Sequence, residues 1–76
     1  MSAITLHCID DARHMHRFYR LYIQPDLFGG FSLVREFGRI GQPGHLRLAS
    51  FDTEAEAAAA LARQQRAKER RGYSVT

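Results

Sequence analysis

The sequence contains no tryptophan, a single cysteine, and one lysine among its eleven basic residues. The lone Cys8 excludes an internal disulfide and any Cys-x-x-Cys metal site, so a reducing compartment is the simplest expectation. No run approaches the ~18 apolar residues of a membrane span. The opening stretch "MSAITLHCIDDARH" has no apolar core and reaches its second acid at Asp11, which argues against a secretory leader. A cytoplasmic protein with no membrane association is expected. Glycine patterns of the P-loop or Rossmann type are also missing.

What is present is the composition of a folded protein. The chain has 76 residues, 45% of them hydrophobic, with five phenylalanines and three tyrosines. A chain this short buries only roughly 60% of the surface it exposes when unfolded, so one domain, residues 1–76, with one layer of core is expected. The net charge is +3 and the pI about 9.6. All the basic residues except Lys68 are arginine. Arginine's planar fork grips phosphate through two hydrogen bonds and stacks on aromatic faces, whereas lysine offers a mobile point charge.

Periodicity divides the chain in two. Strands are expected at 3–9 ("AITLHCI"), 17–24 ("RFYRLYIQ"), 31–40 ("FSLVREFGRI") and 46–51 ("LRLASF"). A polar connection at 10–16, a Gly29-Gly30 turn and a Pro43-Gly44 turn separate them. After residue 51 the period becomes helical: Thr53-x-x-Glu56 fits a capping box, an alanine run follows, and Gly72 marks the stop. The expected fold is α+β, an antiparallel sheet of about four strands with one long C-terminal helix on one face. Ala57, Ala58, Leu61, Gln65 and Lys68 are expected near the helix stripe that meets the sheet.

Alternation sorts the strands by face. Tyr19, Leu21 and Ile23 should face the helix, with Phe18, Arg20 and Tyr22 opposite. Leu46 and Leu48 should likewise lie opposite His45 and Arg47. The third strand is ambiguous, because Leu33 and Val34 are adjacent and both apolar, and a bulge would rephase it. If Arg35, Phe37 and Arg39 point away from the helix, they join Phe18, Arg20, Tyr22 and Arg47 on one open face of interleaved rings and guanidinium groups. Such a surface suits a nucleic-acid backbone, with arginine on phosphate and rings on a sugar or unpaired base. It also suits a plain aromatic cluster that stiffens an exposed sheet.

The ordered set "DLFGGFSLVR", Gly38-Arg39-Ile40-Gly41 before a glycine turn, and Lys68 before Gly72-Tyr73 resembles the WGR domain, found in DNA-dependent poly(ADP-ribose) polymerases and as small bacterial proteins. The resemblance runs over most of the chain. It implies a sheet packed on a helix and a module that engages DNA at strand breaks or contacts neighbouring domains. The name-giving tryptophan is Phe37 here, which keeps a flat apolar face but loses ring area and the indole N–H. The resemblance points to Phe37, Gly38 and Arg39, with Gln42 and His45 in the adjoining loop and Lys68 on the helix. Arg20, Arg35 and Arg47 are expected in support. A DNA-binding bacterial protein of this kind would be nucleoid-associated.

No other constellation carries chemistry. His7, Cys8, Asp10, His14 and His16 have no helical or Cys-x-x-Cys metal spacing, so no metal site and no cofactor are expected. Cys8 and His7 project to opposite faces of one strand and cannot form a dyad. No catalytic residues are expected, and the chain reads as a binding module, not an enzyme. The leading expectation is a nucleic-acid-binding module, DNA in particular. The alternative is a protein-interaction adaptor that uses the same face and docks a protein partner.

Overall fold

The computed structural model describes residues 3–76, so the first two residues of the stretch read against a leader lie outside it. Strands β1 (Ile4–Asp10), β2 (Met15–Pro25), β3 (Phe31–Arg39) and β4 (His45–Phe51) form an antiparallel meander. Helix α1 (Glu54–Arg70) follows, and a short β5 (Ser74–Val75) adds to the free side of β1. The sheet therefore has five strands in the order β4-β3-β2-β1-β5, one more than the sequence pattern disclosed. Two residues of strand have no periodicity to read; they pair only because the chain returns beside Leu6 and His7.

That return is a matter of length. From β4 to β5 the chain crosses four inter-strand steps, about 19 Å. The 17 residues of α1 span about 25 Å, enough to cross the sheet obliquely. Its start uses the expected Thr53 and Glu56: the Glu56 N–H donates to Thr53 Oγ1 at 3.2 Å, as in a capping box, while Glu56 Oε1 accepts from the Thr53 hydroxyl at 3.0 Å, where a full box takes the Thr53 N–H. Its end is a Schellman turn. The Tyr73 N–H donates to the Lys68 carbonyl and the Gly72 N–H to that of Glu69, both at 3.1 Å, with Gly72 at φ +98°.

The core lies between α1 and one sheet face. Leu6 and Leu21 are fully buried, and Tyr19, Ile23, Leu33, Ala57 and Ala60 complete the cluster. Burial of each large side chain contributes roughly 1.5–3 kcal/mol. Tyr19, Leu21 and Ile23 face the helix as alternation predicts. Ala57 and Ala60 carry the helix contact while Ala58 is exposed, because positions three apart share a face and adjacent ones do not.

Two local expectations are corrected, and the ambiguity of β3 is resolved. β2 begins at Met15, inside the stretch read as a polar connection, because a single 3-10 turn at Asp11–Arg13, with His14 at φ 55°, reverses the chain. β3 contains no bulge: its pairing with β2 runs unbroken from Arg17↔Arg39 to Pro25↔Phe31. Leu46 and Leu48 lie on the face away from α1, exposed by 53% and 59%. The register forces this, since Leu48 pairs with Val34 and Val34 with Tyr22, which opposes the core face.

Candidate nucleic-acid interface

Register also decides where the basic residues go. Phe37 pairs with Tyr19 on one side and His45 on the other, so it lies on the helix side of the sheet. Arg35, Arg39 and Arg47 share that side, and Arg20 does not: it pairs with Glu36 on the open face and meets its carboxylate at 3.8 Å. The single open face of rings and arginines does not form. Its members divide because Phe37 continues the aromatic row begun by Tyr19 instead of the one containing Phe18.

The helix side now reads as three rungs. An aromatic rung, Tyr19–Phe37–His45, lies between an arginine rung Arg17–Arg39 and a second rung ending in Arg35–Arg47. The rings are in contact. Phe37 stacks on Tyr19 with centroids 5.5 Å apart and planes at 14°, and His45 tilts against Phe37 at 5.9 Å. Tyr73, held by the Schellman turn, meets Tyr19 edge-on at 6.2 Å. From the last turn of α1, Lys68 Nζ reaches over Tyr19 at 4.6 Å. Tyr19, Phe37, Tyr73 and Lys68, with the arginines of the flanking rungs, line a concave site of about 640 Å³; His45 touches Phe37 but does not line it.

Its electrostatics are one-signed. Four arginines and Lys68 line the site, and no carboxylate does. Like charges directly opposite on neighbouring strands destabilise a sheet, and here Arg17 faces Arg39 and Arg35 faces Arg47. Among the described residues, the ion pairs involve Arg13 with Asp10, His16 with Asp11 and Arg20 with Glu36, none of them at this site. Lys68 reports the same field: burial first, then Arg71, Arg35 and Arg17, push its pKa below the ordinary 10.5. An anion in the site would relieve all of these repulsions at once.

The remaining predicted residues have separate places. A side chain at Gly38 would approach the Gly44 Cα at 3.1 Å, and one at Gly44 would meet the Phe37 carbonyl at 2.8 Å, so these glycines allow the β3–β4 turn to fold back closely. The Gln42 N–H donates to the Arg39 carbonyl at 3.1 Å, which closes that turn, and Gln42 does not line the site. Arg39 Nη1 reaches the His14 carbonyl at 3.5 Å, leaving most of its donors free. Arg17 and Tyr19 belong to the site but were not singled out from sequence as binding residues, and Tyr73, read there as part of the family's C-terminal marker, joins them. Arg17 was legible, since it lies two residues before Tyr19 on the same strand face.

Among the described residues, no group of three or more His, Cys, Asp or Glu is placed to hold a metal ion, and no helix is long and apolar enough to cross a membrane. No solved structure matches the chain. It is 38% identical over 65 residues to the uncharacterized protein y4dW of Sinorhizobium fredii, a match covering 86% of this chain and 32% of that protein. The chain thus spans about a third of the length of that curated relative. The WGR domain model matches residues 2–76, so the chain belongs to the WGR domain family, a family of nucleic-acid-binding modules.

Proposed function

We propose that the arginine-lined site on the helix side of the sheet binds the phosphodiester backbone of DNA. Arg39 with Arg17, and Arg35 with Arg47, take phosphate oxygens through their paired N–H groups, and Lys68 adds charge from above. The exposed edge of Phe37, backed by Tyr19, rests against a sugar or an unpaired terminal base, a smaller version of the contact expected from a tryptophan there. The reading is of a binding module and includes no catalytic step.

One observation carries it. Two cross-strand arginine pairs flank an aromatic rung with no carboxylate in the site, an arrangement that costs stability until an anion enters. Phosphate neutralisation releases counterions, so the logarithm of affinity should fall against that of salt with a slope between about −2 and −4.5 for duplex DNA. Fluorescence anisotropy of labelled duplex across a salt series tests this. A flat salt response, or no retention at low ionic strength, would remove the reading.

A further inference from the structure

The sheet face away from α1 carries an apolar patch that the arginine site does not use. Leu27 and Phe28, at the β2–β3 tip, are 96% and 95% exposed; Leu48 on β4 shares a groove with them, and Leu46 stands exposed two residues further along the same strand face. The tip is not slack. Asp26 Oδ1 accepts from the Phe28 N–H at 2.8 Å and the Gly30 N–H at 2.9 Å, and the Asp26 N–H donates to the Gly30 carbonyl at 2.9 Å. Held in this way, Phe28 walls a groove of about 480 Å³ shared with Leu48, Ser32 and Ser50.

The groove opens beside β4, which ends the sheet and has no further strand beyond it among the described residues. Unpaired edges are normally blunted by proline, bulges or several charges. The seven residues of β4, His45–Phe51, contain no proline and one charged residue, Arg47, whose Nη1 takes the Leu46 carbonyl at 3.0 Å.

We propose that β4 pairs antiparallel with β4 of a second copy of this chain, centred on Leu48, to form a two-fold dimer with one continuous sheet. In this register Leu48 lies opposite Leu48 of the partner subunit. Leu46 lies opposite Ser50 of the other copy, which lays its side chain into the groove between Phe28 and Leu48, and symmetry repeats the seat. On the helix side Arg47 falls opposite Ala49. A pairing centred on Arg47 would instead set arginine against arginine, which neighbouring strands disfavour.

Register and area argue for a second copy as the occupant. Leu27, Phe28, Leu46 and Leu48 together expose on the order of 500 Å². The register reaches Phe28, Leu46 and Leu48, so two copies bury at most on the order of 800 Å² of apolar side chain, to which the paired edge backbones add, the size of a weak, concentration-dependent contact. Nucleic acid is a poor occupant, because Asp26 lines the groove and no cation does. The two-fold axis runs through the sheet, so both helices and both arginine sites face the same way. A ligand long enough to reach both sites would be held by avidity, a consequence that rests on the proposed function. The dimer itself does not depend on what those sites bind.

Sedimentation equilibrium of the full chain without nucleic acid, up to ~1 mM, should show concentration-dependent dimer. Leu48→Arg, at an exposed position whose fold is checked by circular dichroism, should sediment as monomer throughout. Under mild oxidation Leu48→Cys should cross-link at least about tenfold faster than Ser50→Cys, because only residue 48 meets its own copy across the axis. A wild-type chain that stays monomeric at ~1 mM overturns the proposal and leaves the patch to a different protein. Equal cross-linking of Leu48→Cys and Ser50→Cys overturns the register and with it the seat for Leu46.

Discussion

Lys68 Nζ lies 4.6 Å over the Tyr19 ring and 5.7 Å from the centre of the Tyr73 ring, so the last turn of α1 places a cation above the aromatic floor of the arginine site. The Schellman turn ties the two residues together, since the Lys68 carbonyl accepts the Tyr73 N–H. Helix termination and site geometry are one feature of the chain.

Lys68 should therefore titrate below its ordinary value of 10.5, through burial first and Arg71, Arg35 and Arg17 next. When the folded pKa is the lower one, the unfolded chain holds more protons between the two values. Stability then rises with pH as Lys68 loses its proton, and this gain is complete above 10.5. Carbon-13 NMR of the Lys68 Cε should show the depressed value and its upward movement when an oligonucleotide binds. A midpoint at 10.5 with and without ligand would contradict the field described for the site.

Removing one member of an arginine pair should relieve repulsion and weaken anion binding together. Arg35→Gln and Arg47→Gln are each expected to change stability by about +0.2 to +1 kcal/mol, a melting-temperature rise of up to several degrees in a domain this small. Added inorganic phosphate should stabilise the wild type more than either variant, by linkage. Thermal melts with and without phosphate read both effects. Lower melting temperatures with an unchanged phosphate response would show that the pairs have a packing role.

Phe37 is half-buried against Tyr19, so Phe37→Ala should lower stability by about 2 kcal/mol whatever the ligand. Phe37→Trp is the more telling change. It introduces the chain's first tryptophan at the proposed contact, and the larger ring should tighten binding a few-fold. Its fluorescence should change on titration with duplex. An emission spectrum indifferent to saturating duplex would exclude residue 37 from the contact.

Gly44→Ala should lower the melting temperature by several degrees, because the new Cβ would lie 2.8 Å from both the Phe37 carbonyl and Phe18 Cζ. Differential scanning calorimetry gives the answer directly. An unchanged transition would mean that the β3–β4 turn yields without cost.

Alternation and capping made much of the fold readable. Tyr19, Leu21 and Ile23 declared the helix side of β2, and Thr53 with Glu56 declared the start of α1. The face of β3 was not readable, because Leu33 and Val34 are both apolar and both buried, one under α1 and one between Tyr22 and Leu48. Local pattern cannot separate two buried neighbours; only the pairing of Tyr19 with Phe37 does. The basic site was hidden by the same ambiguity. Arg35, Phe37 and Arg39 could be placed on the open face only conditionally, and they lie on the helix side, where α1 leaves the Arg17–Arg39 end of the sheet open enough to form a pocket. Tyr73 was readable as a ring near the helix stop, and its contact with Lys68 and Tyr19 depended on the Schellman geometry.

The central claim is that binding belongs to the helix side of the sheet. Two arginines separate the faces: Arg39 in the site, and Arg20, paired with Glu36 on the other side. Salt-dependent anisotropy with one labelled duplex, measured for Arg39→Ala and Arg20→Ala side by side, is the most direct test. The account predicts that Arg39→Ala loses roughly tenfold in affinity and about one unit of salt slope, while Arg20→Ala stays within about twofold of wild type. Equal losses, or the larger loss at Arg20, would contradict it.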